Sequence, residues 1–127
     1  ISDAHAEMMI KVAEAIAYNK NDRHILIVEN NGAIANMQDD AMVEVVCELG
    51  ANGPRPMSVG NIPQFNLGLL VNQVSCEKLI VDAYFENSYQ KALEAFTLNR
   101  LINDAKKARK VLDALIEANR GMWPELR

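Results

Sequence analysis

Polar residues gather on two tight turns, and these are where the chain could do chemistry. Asn30-Asn31-Gly32 and Asn52-Gly53-Pro54-Arg55 each close an apolar run, and loops at strand ends often carry function. Arg55 stands between Pro54 and Pro56 on a stiff segment, where it could pair with a carboxylate, a phosphate or another subunit. The same residues are also ordinary hairpin punctuation, because Asn and Gly tolerate positive φ. Asn30, Asn31, Asn52 and Arg55 are the candidate functional or interface residues.

Other chemistries lack their residue patterns. None of the six glycines forms a G-x-G-x-x-G or phosphate loop, so no dinucleotide site is legible. The two histidines, His5 and His24, have no partners at metal-ligand spacing, and there is no C-x-x-C or H-x-x-x-H. No Ser, Cys or His stands in a nucleophile motif. Asp39-Asp40 could be read as paired carboxylates, but a solvated turn is the better reading. Cys47 and Cys76 lie inside apolar patterns and read as buried thiols in a reducing compartment, although sequence leaves a disulfide between them open. No catalytic, cofactor-binding or metal-binding residue is therefore assigned.

The turns are held by strands, with helices on both sides. Ile25 to Val28 is a short β-rich run. From Met42 to Leu49 the pattern alternates: Val43, Val45, Cys47 and Leu49 share one face, Glu44 and Glu48 the other. A period of two with charges on one side predicts a strand with one buried face. Pro54 and Pro56 cannot donate to a ladder, which makes that stretch a turn or an edge, and Met57-Ser58-Val59 could be one more short strand.

Upstream, Ser2 or Asp3 can cap a helix reaching about Tyr18, with Met9, Val12, Ala13 and Ile16 on one face. Residues 19–22 read as a polar connector. Downstream, Pro63 suits the first turn of a long helix ending near Glu86. That helix is apolar almost all round, so contact on several sides is expected. Its Gly68 is either an early-turn position or a close approach of another backbone. Ser88 caps a shorter helix that ends at Asn99, with Tyr89, Ala92, Leu93 and Phe96 inward. Asn103 or Asp104 caps the last helix, with Ala108, Val111, Leu112, Leu115 and Ile116 as its stripe. Gly121 fits a left-handed cap.

The chain has 127 residues, 50% hydrophobic and 24% charged, with a net charge of -4. That fits one globular domain. There is no basic block for a nucleic-acid backbone, and aromatics make up only 6%, so no nucleic-acid partner is expected. No apolar run approaches the ~20 residues of a membrane span and no signal peptide is visible, so no membrane partner and a cytoplasmic location are expected. The start at Ile1 rather than Met suggests a processed chain or a piece of a longer protein.

Several segments, in order, resemble the C-terminal part of glycoside hydrolase family 4: KVAEAIAYN, VENNGAIAN, AMVEV, ANGPRP, QVSCEKLIVDAYFENSY, LDALIEANR and MWPEL. The likeness covers nearly the whole chain and is closest to the family's 6-phospho-α-glucosidases. One departure is Val46, which stands where the family often has proline after V-E-V, and a longer regular strand becomes possible. The resemblance implies an α+β fold, a small antiparallel sheet packed on helices, like the C-terminal domain of lactate and malate dehydrogenases. It implies a parent enzyme that cleaves phosphorylated maltose-like disaccharides by NAD-assisted oxidation and elimination, with a divalent metal, usually manganese; the alternatives are a 6-phospho-β-glucosidase or related family 4 glycosidase, or a non-catalytic assembly module. The family's nucleotide loop, metal-binding Cys and His, and catalytic Tyr match no residue here, and Cys47, Cys76, His5 and Tyr18 are not their counterparts. NAD and Mn2+ are thus implied for the parent enzyme and not for this chain. Implied partners are the N-terminal domain, further copies in a homo-oligomer, and the phosphorylated sugar.

Overall fold

The computed structural model describes residues 3–102 and 104–127. The sequence divides into two compact units, one ending at Pro63 and one starting at Gln64.

The first unit holds helix α1 (Ala4–Ala17) and strands β1 (Asp22–Glu29), β2 (Met42–Gly50) and β3 (Gly53–Pro56). Among the described residues the sheet is three-stranded and antiparallel, in the order β1-β2-β3. Its centre is β2, where the expected alternation is observed: Val43, Val45, Cys47 and Leu49 are buried, and Glu44 faces out. The strand runs unbroken through Val46. Asp3 caps α1 by accepting from the His5 amide at 3.0 Å, while Ser2 lies outside the described residues.

Three sequence expectations are corrected in this unit. β1 starts at Asp22 rather than near Ile25, because β2 offers partners that far: Asp22 faces Leu49 and Arg23 faces Glu48. Residues 57–59 add no further strand, and residues 53–56 are the third strand, as the edge reading of that stretch allows. Its prolines sit opposite Leu49 and Cys47, while the neighbouring Met57 amide donates to the Val46 carbonyl at 2.9 Å. Those are the alternate positions whose nitrogens face away from β2, where a missing N–H costs no bond. The inward face of α1 carries buried Ala15 and half-buried Val12, whereas Met9 and Ile16 are exposed. The sequence around MMIKVAEAIA is apolar on more than one side, so periodicity alone does not single out the face that β2 meets.

Gly50 has a packing reason. A Cβ there would lie 2.6 Å from Asn21 Oδ1 and 2.7 Å from Asn19 Oδ1. Both asparagines adopt left-handed backbone, with φ of 50 and 55 degrees, and Asn19 Oδ1 accepts from the Ala51 amide at 2.9 Å. The turn after α1 is thereby tied to the end of β2.

The second unit is helical: α2 (Gln64–Glu86), α3 (Tyr89–Leu98) and α4 (Ala105–Ala118). Ser88 accepts from the Lys91 amide and Asp104 from the Lys107 amide, so both expected caps are present; Asn103 lies outside the described residues. Gly121 has the expected left-handed φ, 84 degrees. Ala83, Ala92 and Leu112 form the core, flanked by Tyr89, Leu93, Phe96, Ile116 and Leu126. The C-terminal segment folds back on the α2–α3 turn. The Arg127 amide donates to the Asn87 carbonyl at 2.7 Å, and the Tyr89 amide donates to the Arg127 carbonyl at 3.0 Å.

Contact all round α2 is not observed within the described residues. Val74, Cys76 and Ala83 are buried, but Phe65, Val81, Tyr84 and Phe85 are exposed. Gly68 meets nothing within 4 Å, which leaves the early-turn reading. On α4, Ala108 and Leu112 are buried while Val111 and Leu115 are exposed, so the packed stripe is narrower than the apolar one.

Val45→Asp should unfold the first unit, because it buries a charge with no partner. Glu44→Ala should shift stability by less than about 0.5 kcal/mol. Circular dichroism melts would check the order, and the reverse order would mean a strand register one residue off.

Candidate functional site

The four candidate residues fall at two ends of the sheet. Asn30 and Asn31 follow β1, beside the start of β2. Asn52 lies in the β2–β3 turn and Arg55 on β3, beside the start of β1. About seven residues of strand separate these ends, roughly 20 Å, so the four do not form one site.

Asn30 is fully buried and organises the loop that follows it. Its Nδ2 lies 3.0 Å from the Ile34 carbonyl, 3.2 Å from that of Met37 and 3.1 Å from that of Gln38. Its Oδ1 accepts from the Ile34 amide at 2.7 Å, and its own amide donates to the Ala41 carbonyl at 2.8 Å. Every polar atom of this side chain is engaged within the loop, so its role is architectural. Asn31 has φ of 42 degrees, donates from Nδ2 to Glu29 at 3.2 Å, and donates its amide to the Asp39 carbonyl at 2.9 Å. Asp39-Asp40 lies on the approach to β2, where the carboxylates are exposed.

At the other end, Arg55 pairs with Glu48 at 2.8 Å. A shallow polar depression of about 200 Å3 surrounds the pair, lined by Asn19, Asn21, Asn52 and Gly53 among others. Sequence reasoning took residues 19–22 as a connector and missed Asn19 and Asn21. Their left-handed turns were the available signal. Glu48 was legible as outward-facing, but its pairing with Arg55 needed the β2–β3 register.

The remaining candidates for reactivity are enclosed. Cys47 and Cys76 are both buried and free, and burial pushes each thiol above its ordinary pKa. Among the described residues no group of three His, Cys, Asp or Glu could hold a metal ion, and no helix is long and apolar enough to cross a membrane. In the helical unit, Ile80, Val81, Tyr84, Phe85, Met122 and Trp123 line an apolar hollow of about 320 Å3.

Residues 1–102 match the model of the family 4 glycosyl hydrolase C-terminal domain. The chain belongs to this family. Over 124 residues it is 53% identical to the maltose-6'-phosphate glucosidase of Bacillus subtilis (strain 168), an alignment that covers 98% of this chain and 28% of that protein. The probable 6-phospho-β-glucosidase of the same strain is 33% identical over 121 residues, covering 95% of this chain and 27% of its own length. A crystal structure of a 6-phospho-α-glucosidase from gut microorganisms, in complex with NAD and Mn2+, is 83% identical. It superposes with a TM-score of 0.97 over 100% of this chain and 29% of that one.

The resemblance carried by the sequence motifs, the α+β fold and the closer likeness to 6-phospho-α-glucosidases are thus borne out. The chain spans under a third of the relatives it matches. The glycines that a pyrophosphate needs at a helix N-terminus are not arranged here, and the described His, Cys, Asp and Glu do not converge.

Asn30→Ala should cost about 2–4 kcal/mol, since it leaves the loop carbonyls without donors in a buried site. Asn30→Asp should be comparably damaging, because an ionised carboxylate accepts but cannot donate. Arg55→Ala, which breaks a largely exposed ion pair, should cost less than about 1 kcal/mol. Thermal melts of the three variants would check this ranking.

Proposed function

We propose that this chain is the C-terminal portion of a 6-phospho-α-glucosidase that hydrolyses phosphorylated maltose-like disaccharides, and that it contributes fold and assembly rather than reacting groups. One observation carries the choice of substrate class: 53% identity to a maltose-6'-phosphate glucosidase against 33% to a 6-phospho-β-glucosidase of the same organism. On this reading the redox-assisted elimination belongs to the part of the parent enzyme that this chain does not span, where NAD and Mn2+ would bind. The chain's share is structural. The Asn30 loop and the Asn19–Gly50 contact hold a stiff sheet, and the apolar surface left on α1 and α2 is available for packing. The parent enzyme is read as a cytoplasmic homo-oligomer.

The isolated chain should bind neither NAD nor Mn2+ at micromolar concentration in calorimetry, and should not turn over a 6-phospho-glucoside. The parent enzyme should cleave a chromogenic aryl 6-phospho-α-glucoside, require both cofactors, and act more slowly on the β-anomer. Activity without either cofactor, or a preference for the β-anomer, would overturn the assignment.

A further inference from the structure

We propose that β1 is a two-fold pairing edge, on which a second copy of this chain adds its own β1 antiparallel, with Leu26 of the two copies opposed across the axis. β1 is the outer strand of the sheet, paired to β2 without interruption from Asp22 to Glu29. Sheet edges are usually blunted by charged side chains, lysine above all, by proline, by a bulge or by shortness. DRHILIVE has no proline or lysine, its charges Asp22, Arg23 and Glu29 lie at the two ends of the strand, its register shows no bulge, and it is eight residues long. Its outward side chains include Ile25 at 59% exposure and Ile27 at 67%.

The geometry fixes which residues a partner would meet. The Asn30 amide donates to Ala41, so the even-numbered residues of β1 turn their backbone groups towards β2. Arg23, Ile25, Ile27 and Glu29 therefore turn theirs to the open edge. The same four have exposed side chains on the outer face. In an antiparallel pair, residues directly opposite share a face, and those with backbone groups towards the partner exchange both N–H···O bonds.

Two copies related about Leu26 satisfy both conditions at once. Arg23 then stands opposite Glu29 of the partner subunit, and Ile25 opposite Ile27 of the partner subunit. Opposite charges meet at both ends, and apolar side chains meet in the middle. Sliding by two residues either way puts a charge opposite isoleucine and loses this match. The edge is self-complementary in this one register, as an isologous contact requires. That commits the occupant to a second copy rather than to another segment of a longer chain.

Sedimentation velocity on the chain, with charge reversals, tests this. The unaltered chain should dimerise. R23E and E29R should each weaken the dimer roughly tenfold, because each places like charges opposite one another twice in the dimer. The double variant R23E/E29R should restore the original affinity. Both positions are exposed, so the variants should stay folded, with R23E and the double variant melting somewhat lower because each sets a glutamate opposite Glu48 of β2. As a second readout, an oxidised mixture of I25C and I27C should form a covalent dimer that neither variant forms alone. A chain that stays monomeric to roughly hundreds of micromolar would overturn the proposal and leave the edge to another segment of the parent. So would a dimer that the single reversals leave unchanged, a double variant no better than the singles, or a mixture that cross-links no more than its components.

Discussion

The sheet depends on one buried amide. Asn30 sits at the end of β1 with no exposure, and its side chain gathers backbone groups from Ile34, Met37 and Gln38. A buried polar group is costly unless satisfied, and here the loop is shaped to satisfy it. With the loop closed, the Asn30 amide meets Ala41, and the β1–β2 register follows residue by residue. A slip of one residue would send Val43, Val45, Cys47 and Leu49 to the outer face. The loop is fastened a second time, because Asn36 both donates to the Ile62 carbonyl and accepts from the Ile62 amide, each at 3.0 Å.

Both units leave large apolar side chains in water: Met9 and Ile27 in the first, Phe85, Leu101 and Met122 in the second. The inner face of β2 is closed. Phe85 and Met122 share one apolar hollow, and contiguous apolar surface marks places where protein meets protein. The chain spans 28% of the length of the maltose-6'-phosphate glucosidase it matches. The hollow at Ile80, Tyr84 and Trp123 is apolar, so what it offers is adhesion and not the polar groups that would orient a phosphorylated sugar.

Nothing in the types or spacing of these residues points to glycoside cleavage, and the side chain of Asn30 is engaged wholly within its own loop. The link to glycosidases comes through ordered segments such as VENNGAIAN and ANGPRP, which here make a loop and an edge strand.

The sequence by itself determined the elements whose cause is local. The alternation at 42–49 gave β2 and its faces, because a period of two admits one buried side. Ser88 and Asp104 marked helix starts, because a short oxygen-bearing side chain reaches the open amides of a first turn. The tertiary structure decided whatever depends on a partner distant in sequence. β1 extends back to Asp22 because β2 is there to pair with it, and β3 passes through two prolines because their nitrogens fall on the unpaired side. Asn30 is a buried brace, since the carbonyls it serves are brought to it by the fold. The exposed faces of α1 and α2 were illegible for the same reason: periodicity records that a side chain is apolar, and only neighbours decide whether it is covered.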